Sequence, residues 1–232
     1  MEQPQVVRLG SVTSTQDVAR DLPIGSVVIA DHQTAGRGRL ARRWEAPPKT
    51  VLLASFVLPP HPLLSLAAGV AAAEACGAGV RLKWPNDLML GDGKVGGILV
   101  EASGAKAVAG IGINLTWAPE GAAQLNQPCD ELLARLRQAL QTWSSAAPED
   151  VIKRWRELSE TLGRHVRVEM PNRVIEGIAE DVGDDGALIV DGIRISAGDV
   201  IHLRAAPAPA GPPRSGHGSR PRPARRKGSA RH

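Results

Sequence analysis

The apolar residues of this chain follow two periods, and the switch between them divides it. Residues 6–9 and 26–30 are short β-like runs, and residues 51–58 are continuously apolar, as a strand buried on both faces would be. Pro59 and Pro60 close that run. Leu63, Leu66, Val70, Ala73 and Cys76 then recur at helical spacing among small residues, and Gly77 and Gly79 end the helix. Residues 88–90 and 95–101 flank Gly91-Asp92-Gly93, so they are predicted to pair as an antiparallel hairpin. A further strand is predicted over 107–114. A helix over 130–143 places Leu132, Leu133, Leu136, Leu140 and Trp143 on one face. Pro148 starts another over 149–161, with Ile152, Trp155 and Leu158 inward, and both Trp143 and Trp155 are expected in the core.

After Gly163 the texture changes to short alternating strands, over 166–170, 174–182, 187–190, 193–195 and 200–203, with Asp191-Gly192 as a strong hairpin turn. Five strands in about forty residues point to a small barrel. From Ala205 onward no Val, Ile, Leu or aromatic residue occurs, so that tail is expected to be disordered. The predicted organisation is an α+β unit over 1–161, a small β-barrel over 162–204 and a basic Pro/Ala/Arg tail over 205–232.

Charge sharpens this division. The chain carries a formal +4, but seven of its 28 Lys/Arg and none of its 24 Asp/Glu lie in 205–232, which leaves the first 204 residues near −3. The basic character belongs to the tail and does not mark the globular part as a nucleic-acid binder. Two cysteines, Cys76 and Cys129, are too few for a disulfide framework or a cysteine zinc site, so a reducing, cytoplasmic setting is expected. The start has no secretion-signal pattern, and the Ala/Gly-rich run over 63–80 contains Glu74, which suits a buried helix better than a membrane span.

Four stretches carry candidate chemistry. Residues 33–44, Gln-Thr-Ala-Gly-Arg-Gly-Arg-Leu-Ala-Arg-Arg-Trp, form a long connection in which Gly36 and Gly38 let backbone amides approach an anion and four arginines offer planar forks for phosphate or carboxylate. The arginines are expected to repel one another and keep this strap mobile until a ligand orders it. Ser14-Thr15-Gln16-Asp17 joins a strand end to a helix start, where the hydroxyls serve either as caps or as ligand contacts. Lys83-Trp84-Pro85-Asn86-Asp87 is a turn, and Lys94 opens a strand beside Gly96-Gly97, where the missing side chains mark a close approach. Gly110-Ile111-Gly112-Ile113-Asn114 again leaves one strand face bare. Neighbouring strands with these features would form a floor on which a ligand could lie flat.

Taken in order, Ser14-Thr15, Gly36-Arg37-Gly38-Arg39 with Trp44, Lys83-Trp84-Pro85-Asn86-Asp87-Leu88, Lys94-Val95-Gly96-Gly97 and Gly110-Ile111-Gly112-Ile113-Asn114 closely resemble the biotin protein ligases, over about residues 6–204. The resemblance implies a mixed-sheet catalytic domain like those of class II aminoacyl-tRNA synthetases, followed by an SH3-like barrel. It implies activation of biotin by ATP and Mg²⁺ to biotinyl-5′-AMP. Transfer to a lysine of a biotin carboxyl carrier domain, of acetyl- or acyl-CoA carboxylase or pyruvate carboxylase, would follow. By the same resemblance Ser14, Thr15, Gln16, Gln33, Gly36, Arg37, Gly38, Arg39, Lys94 and Gly97 contact biotin, and Arg37, Arg39, Arg42, Trp44, Lys83, Asn86 and Asn114 contact the nucleotide, with Trp44 covering the adenine. Lys94, Arg39, Asp87 and Lys83 are implied at the reacting centre, and Mg²⁺ is expected to ride on the phosphates. Leu40-Ala41 replaces the family's Arg-Gly, and Gln16 stands where Asn is usual. No helix-turn-helix precedes Val6, so sequence-specific DNA binding is not expected, and the chain is expected to be a monomer or weak homodimer. Two alternatives stand: a lipoate-type ligase, and a non-enzymatic nucleic-acid module using the basic tail.

Overall fold

The computed structural model describes residues 3–203, and the expected disordered tail at 205–232 lies outside them. The chain begins with β1 (Val6–Val12), helix α1 (Thr15–Ala19) and β2 (Val27–Gln33), a crossover that makes β1 and β2 parallel. The strap leads to β3 (Val51–Leu58), then α2 (Leu64–Cys76), β4 (Val80–Lys83), β5 (Asp87–Leu90), β6 (Gly93–Ser103) and β7 (Lys106–Asn114). These strands form one mixed sheet in the order β1-β2-β3-β7-β6-β5-β4. Helices α3 (Cys129–Trp143) and α4 (Pro148–Leu158) pack with α2, so α2 is buried nearly all round, as its Ala/Gly-rich composition allows. Every residue of β3 is buried, in keeping with its unbroken apolar run.

The remaining strands, β8 (His165–Met170), β9 (Arg173–Val182), β10 (Leu188–Val190), β11 (Ile193–Ile195) and β12 (Asp199–His202), form a five-stranded antiparallel sheet in the order β11-β10-β9-β8-β12. The expected barrel is thus seen as a sheet whose edge strands β11 and β12 do not pair with each other among the described residues. Its apolar face continues the core of the first sheet, from Val27 through Leu66 to Val200. Trp84 ties the two together: its indole is buried, its Nε1 donates to the Gly186 carbonyl at 3.0 Å, and its backbone N–H donates to Thr161 Oγ1 at 3.0 Å.

One expectation about the core needs correction. Trp155 is fully buried, but Trp143 is only partly so, because its Nε1 donates to Glu74 Oε2 at the edge of the helical layer. An indole with a polar tip is stable half in water, which periodicity alone does not reveal.

Candidate active site

Strand register places the chemistry. Leu53, Gly112, Gly97, Asp87 and Lys83 are successive Cα partners across β3, β7, β6, β5 and β4, so they form a row on one face of the sheet. A second row on that face, two residues along, contains Ser55, Gly110 and Leu99. The intervening Ile98 and Ile111 project to the opposite face and are buried in the apolar core.

Lys94 reaches the glycine face through an irregularity. Asp87 pairs with Gly97 and Leu88 with Gly96, but Met89 pairs with Lys94, so Val95 is an extra residue in β6. The bulge lets Val95 join Gly96 on the core side, fully buried, and returns Lys94 to the side of Gly97. Its ammonium pairs with Asp87 Oδ1 at 2.6 Å and lies 3.4 Å from where a Gly97 Cβ would stand.

The strap doubles back as a narrow hairpin. Trp44 N–H donates to the Gly36 carbonyl at 2.9 Å, Arg37 and Arg43 form a β-bridge, and Gly38 N–H donates to the Arg42 carbonyl at 2.7 Å, with a 3₁₀ turn (Arg39–Ala41) at the tip. A Cβ on Gly36 would sit 2.4 Å from the Trp44 carbonyl oxygen, so glycine is needed there for close approach of the two arms.

Behind this strap is a cavity of about 300 Å³. Fourteen of the sixteen residues singled out from the sequence line it: Ser14, Thr15, Gln16, Gln33, Arg37, Gly38, Arg39, Arg42, Trp44, Lys83, Asn86, Asp87, Lys94 and Gly97. Gly36 and Asn114 do not. Gly36 serves the hairpin, and the Asn114 amide donates to the Lys94 and Ala123 carbonyls at 3.3 and 2.9 Å, which turns it toward the scaffold.

The cavity has two chemically different parts. Around the Gly110 row the groups are uncharged. Thr15 donates to Gln33 Oε1 from its N–H at 2.7 Å and its hydroxyl at 2.9 Å, and that hydroxyl also meets Ser55 Oγ at 2.8 Å. These bonds fix Gln33 Oε1 as an acceptor and so leave its amide N–H₂ to donate. Ser14 stands at the helix N-cap position, buried, and its hydroxyl makes no cap bond, so its side chain is not used as a cap. Gln16 is 4% exposed, its Nε2 donates to the Leu99 carbonyl at 3.3 Å, and its Oε1 has no partner. A buried, unpaired amide oxygen costs roughly 1–3 kcal/mol, so it marks a place where a ligand N–H is expected.

Around the Gly112 row stand the cations Lys94, Lys83 and Arg39, while Arg37 lies beyond the Gly110 row with its charge taken up by acids, and the structure corrects the picture of mutually repelling arginines. Arg37 forms a two-pronged pair with Asp17 at 2.8 and 3.0 Å and lies 3.7 Å from Glu101. The Arg37 bond holds the Asp17 carboxyl below its usual range, and the same contact raises the Arg37 guanidinium. Arg39 donates to Asn86 Oδ1 and to the Gly198 carbonyl, each at 3.3 Å, Arg42 pairs with Asp199, and Arg43 with Glu45 at 3.2 Å. Each strap arginine therefore has an acidic or carbonyl partner. Asp17, Glu101, Gly198 and Asp199 were not singled out from the sequence as site residues. The local spacing of Asp17 suggested only a cap, and Asp199 lies 157 positions from Arg42.

Trp44 also departs from expectation. Its indole lies on the glycine floor: a Cβ on Gly112 would be 2.7 Å from Cε2 and one on Gly97 3.5 Å from Cζ3. The Lys94 ammonium is 5.8 Å from the ring centroid, and the indole Nε1 is buried without a partner. The bare patch expected from the glycines is thus covered by the strap's own tryptophan at Gly112, and by the Gln16 amide at Gly110.

Comparison with known proteins gives the chain its family. Residues 8–117 match the Biotin/lipoate A/B protein ligase family and residues 161–203 the Biotin protein ligase C terminal domain. The chain is 36% identical to the biotin–[acetyl-CoA-carboxylase] ligase of Mycobacterium tuberculosis over 213 residues, covering 78% of this chain and 80% of the relative. It is 34% identical to the bifunctional ligase/repressor BirA of Escherichia coli over 220 residues, covering 80% and 68%. Among solved structures it resembles the Aquifex aeolicus biotin protein ligase in complex with biotin and ATP, with a TM-score of 0.75, 26% identity and coverage of 87% and 99%. The Leishmania major biotin protein ligase in complex with biotinyl-5-AMP gives 0.63, 27%, 88% and 100%. With the glycine floor, the arginine strap and the bulge-mounted lysine assembled around one cavity, the chain belongs to the biotin protein ligase family.

Proposed function

We infer that this protein activates biotin with ATP, forming biotinyl-5′-AMP and pyrophosphate, and transfers the biotin to a lysine of acetyl-CoA carboxylase. The observation that carries this reading is the division of one cavity into an uncharged hydrogen-bonding part and a cationic part. A cyclic urea offers a carbonyl and two N–H groups. Ser14 and the Gln33 amide supply donors, and Gln16 Oε1 supplies an acceptor that otherwise stays unpaired. The ligand's carboxylate then extends along the floor toward Lys94, Arg39 and Lys83, where the ATP α-phosphate must meet it.

Both half-reactions concentrate negative charge. In the first a carboxylate oxygen bonds to the α-phosphorus as pyrophosphate leaves. In the second a lysine amine bonds to the acyl carbon as AMP leaves. Fixed cations aimed at those oxygens lower both barriers. In this reading Lys94 is the principal stabiliser, Arg39 holds the phosphate, and Asp87 orients Lys94 and receives the incoming lysine's proton. Asn86, Arg42 and Trp44 serve the nucleotide. Trp44 must then leave the glycine floor as ligand enters.

Mg²⁺ belongs to the proposal as the companion of the triphosphate. Among the described residues no cluster of three or more His, Cys, Asp or Glu could hold a metal ion, so the phosphates would supply most of its ligands, where it would screen their charge. The proposal further takes the acceptor lysine to lie on a biotin carboxyl carrier domain of acetyl- or acyl-CoA carboxylase or pyruvate carboxylase. It places the protein in the cytoplasm as a monomer or weak homodimer without sequence-specific DNA binding, and assigns catalysis to residues 1–161 with 162–204 as a C-terminal unit. No helix of the described residues is long and apolar enough to cross a membrane.

A lipoate-type ligase would share the adenylation chemistry. Its dithiolane carries no N–H, so the buried Gln16 oxygen would stay unpaired, and a site built for hydrogen bonds rejects such a ligand strongly. Incubation with ATP, biotin and a carrier domain, followed by intact-mass measurement, is expected to show an ATP-dependent biotin adduct that lipoate does not compete away. No adduct, or preference for lipoate, would overturn the reading.

A further inference from the structure

The edge strand of the C-terminal sheet faces the strap, and its charges are arranged in a way the sheet alone does not explain. Asp199 on β12 is directly paired in register with Glu169 on β8, and both residues line the cavity. Like charges directly opposite on a sheet destabilise it. Glu169 is balanced within its own strand by Arg167, whose Nε lies 3.2 Å from Glu169 Oε1, but what balances Asp199 comes from the strap: Arg42 pairs with Asp199 Oδ2, Arg39 Nη1 lies 3.8 Å from Asp199 Oδ1, and both Arg39 terminal nitrogens donate to the Gly198 carbonyl at 3.3 Å. Arg39 also donates to Asn86 Oδ1, in the turn that carries Asp87. One guanidinium thus joins strap, active-site turn and C-terminal sheet. It has five N–H donors and these contacts use only some of them, so it keeps donors for a phosphate. Arg39 is half-buried, and burial lowers its pKa while the Asp199 and Asp87 carboxylates work against that loss.

We propose that Asp199 is a positioning residue for ATP: it anchors Arg39 and Arg42 on the edge of the C-terminal sheet and so holds the strap across the cavity, making that sheet part of the adenylation site. This rests on the ligase reading given above. A merely structural acid would show its role in fold stability, whereas a positioning acid whose partners all come from the strap shows it in ATP binding. Removing it should therefore loosen the strap while leaving the stability of the fold close to the parent's.

The test is biotin-dependent exchange of labelled pyrophosphate into ATP by the full chain, with melting temperature measured alongside. Asp199→Ala is expected to raise the KM for ATP roughly 10- to 100-fold, since a charge-assisted contact is worth about 1.5–3 kcal/mol. Its kcat should change little, biotin affinity should stay within about threefold, and the melting temperature should not fall. Asp199→Glu is expected to restore most of the ATP affinity. Glu176→Gln, which removes another acid from the same sheet, should match the parent. A wild-type KM for ATP in Asp199→Ala, or a lowered melting temperature that Asp199→Glu does not repair, would overturn the proposal. Absence of exchange by the parent protein itself would instead overturn the ligase reading.

Discussion

The two faces of the large sheet use the same strands for opposite purposes. On one face Ile98 and Ile111 are packed into the core against the helical layer, with 2% of their surface exposed. On the other, Gly97, Gly110 and Gly112 contribute no side chain, and the space is taken by Gln16, Trp44 and Lys94 from outside the floor. A strand that alternates isoleucine with glycine spends its packing on one side and keeps the other open. The comparison teaches that stability and function can be separated residue by residue along β7.

That separation breaks most visibly at Gly112. The three atoms nearest its Cβ position all belong to the Trp44 side chain, at 2.7 to 3.1 Å. Gly112→Val is expected to lower biotin-dependent pyrophosphate exchange by more than about 1,000-fold, roughly 4 kcal/mol or more, while the melting temperature stays close to the parent's. On the other face, Ile111→Ala removes buried methyl groups and is expected to cost about 2–5 kcal/mol of stability in urea unfolding, with activity per folded molecule largely kept. Equal loss of activity in both variants, after correction for folded fraction, would erase the distinction.

A smaller effect tests the joint between the sheets. His202 is packed against Thr161 and Glu160, and burial, followed by the Lys83 and Arg164 charges, lowers its pKa from 6.5 to about 4. It is therefore mainly neutral at pH 7, and its 3.5 Å approach to Glu160 is not a full ion pair there. The unfolded chain binds this proton more readily, so stability is expected to fall as pH drops from about 6.5 through about 4, by up to about 3 kcal/mol. Burial raises the Glu160 pKa, so its earlier protonation offsets part of that loss. His202→Gln should flatten the profile in urea titrations across that range, and an unchanged profile would remove His202 as its source.

Much of this was legible in the chain. The apolar run of β3, the spacing of α2 and the hairpin around Gly91-Asp92-Gly93 follow from local pattern, and fourteen of sixteen candidate residues meet in one cavity. What was not legible depends on register and distance. The bulge at Val95 decides which way Lys94 points, and no composition rule announces it. Asp199 and Glu169 become neighbours only through β12 and β8 pairing, and the Asn114 amide is taken up by backbone carbonyls that come near only after folding. The arginines looked repulsive in sequence because their acidic partners lie 20 to 160 positions away, apart from Glu45 two residues after Arg43.

The claim at the centre is that cations on the open face stabilise charge developing between a carboxylate and the ATP α-phosphorus, with Lys94 first among them. The most direct measurement is biotin-dependent pyrophosphate exchange by Lys94→Ala beside the parent protein, with folding checked by thermal melting. The account predicts exchange lowered by about 100- to 1,000-fold at a near-parental melting temperature. Exchange close to that of the parent protein would contradict it.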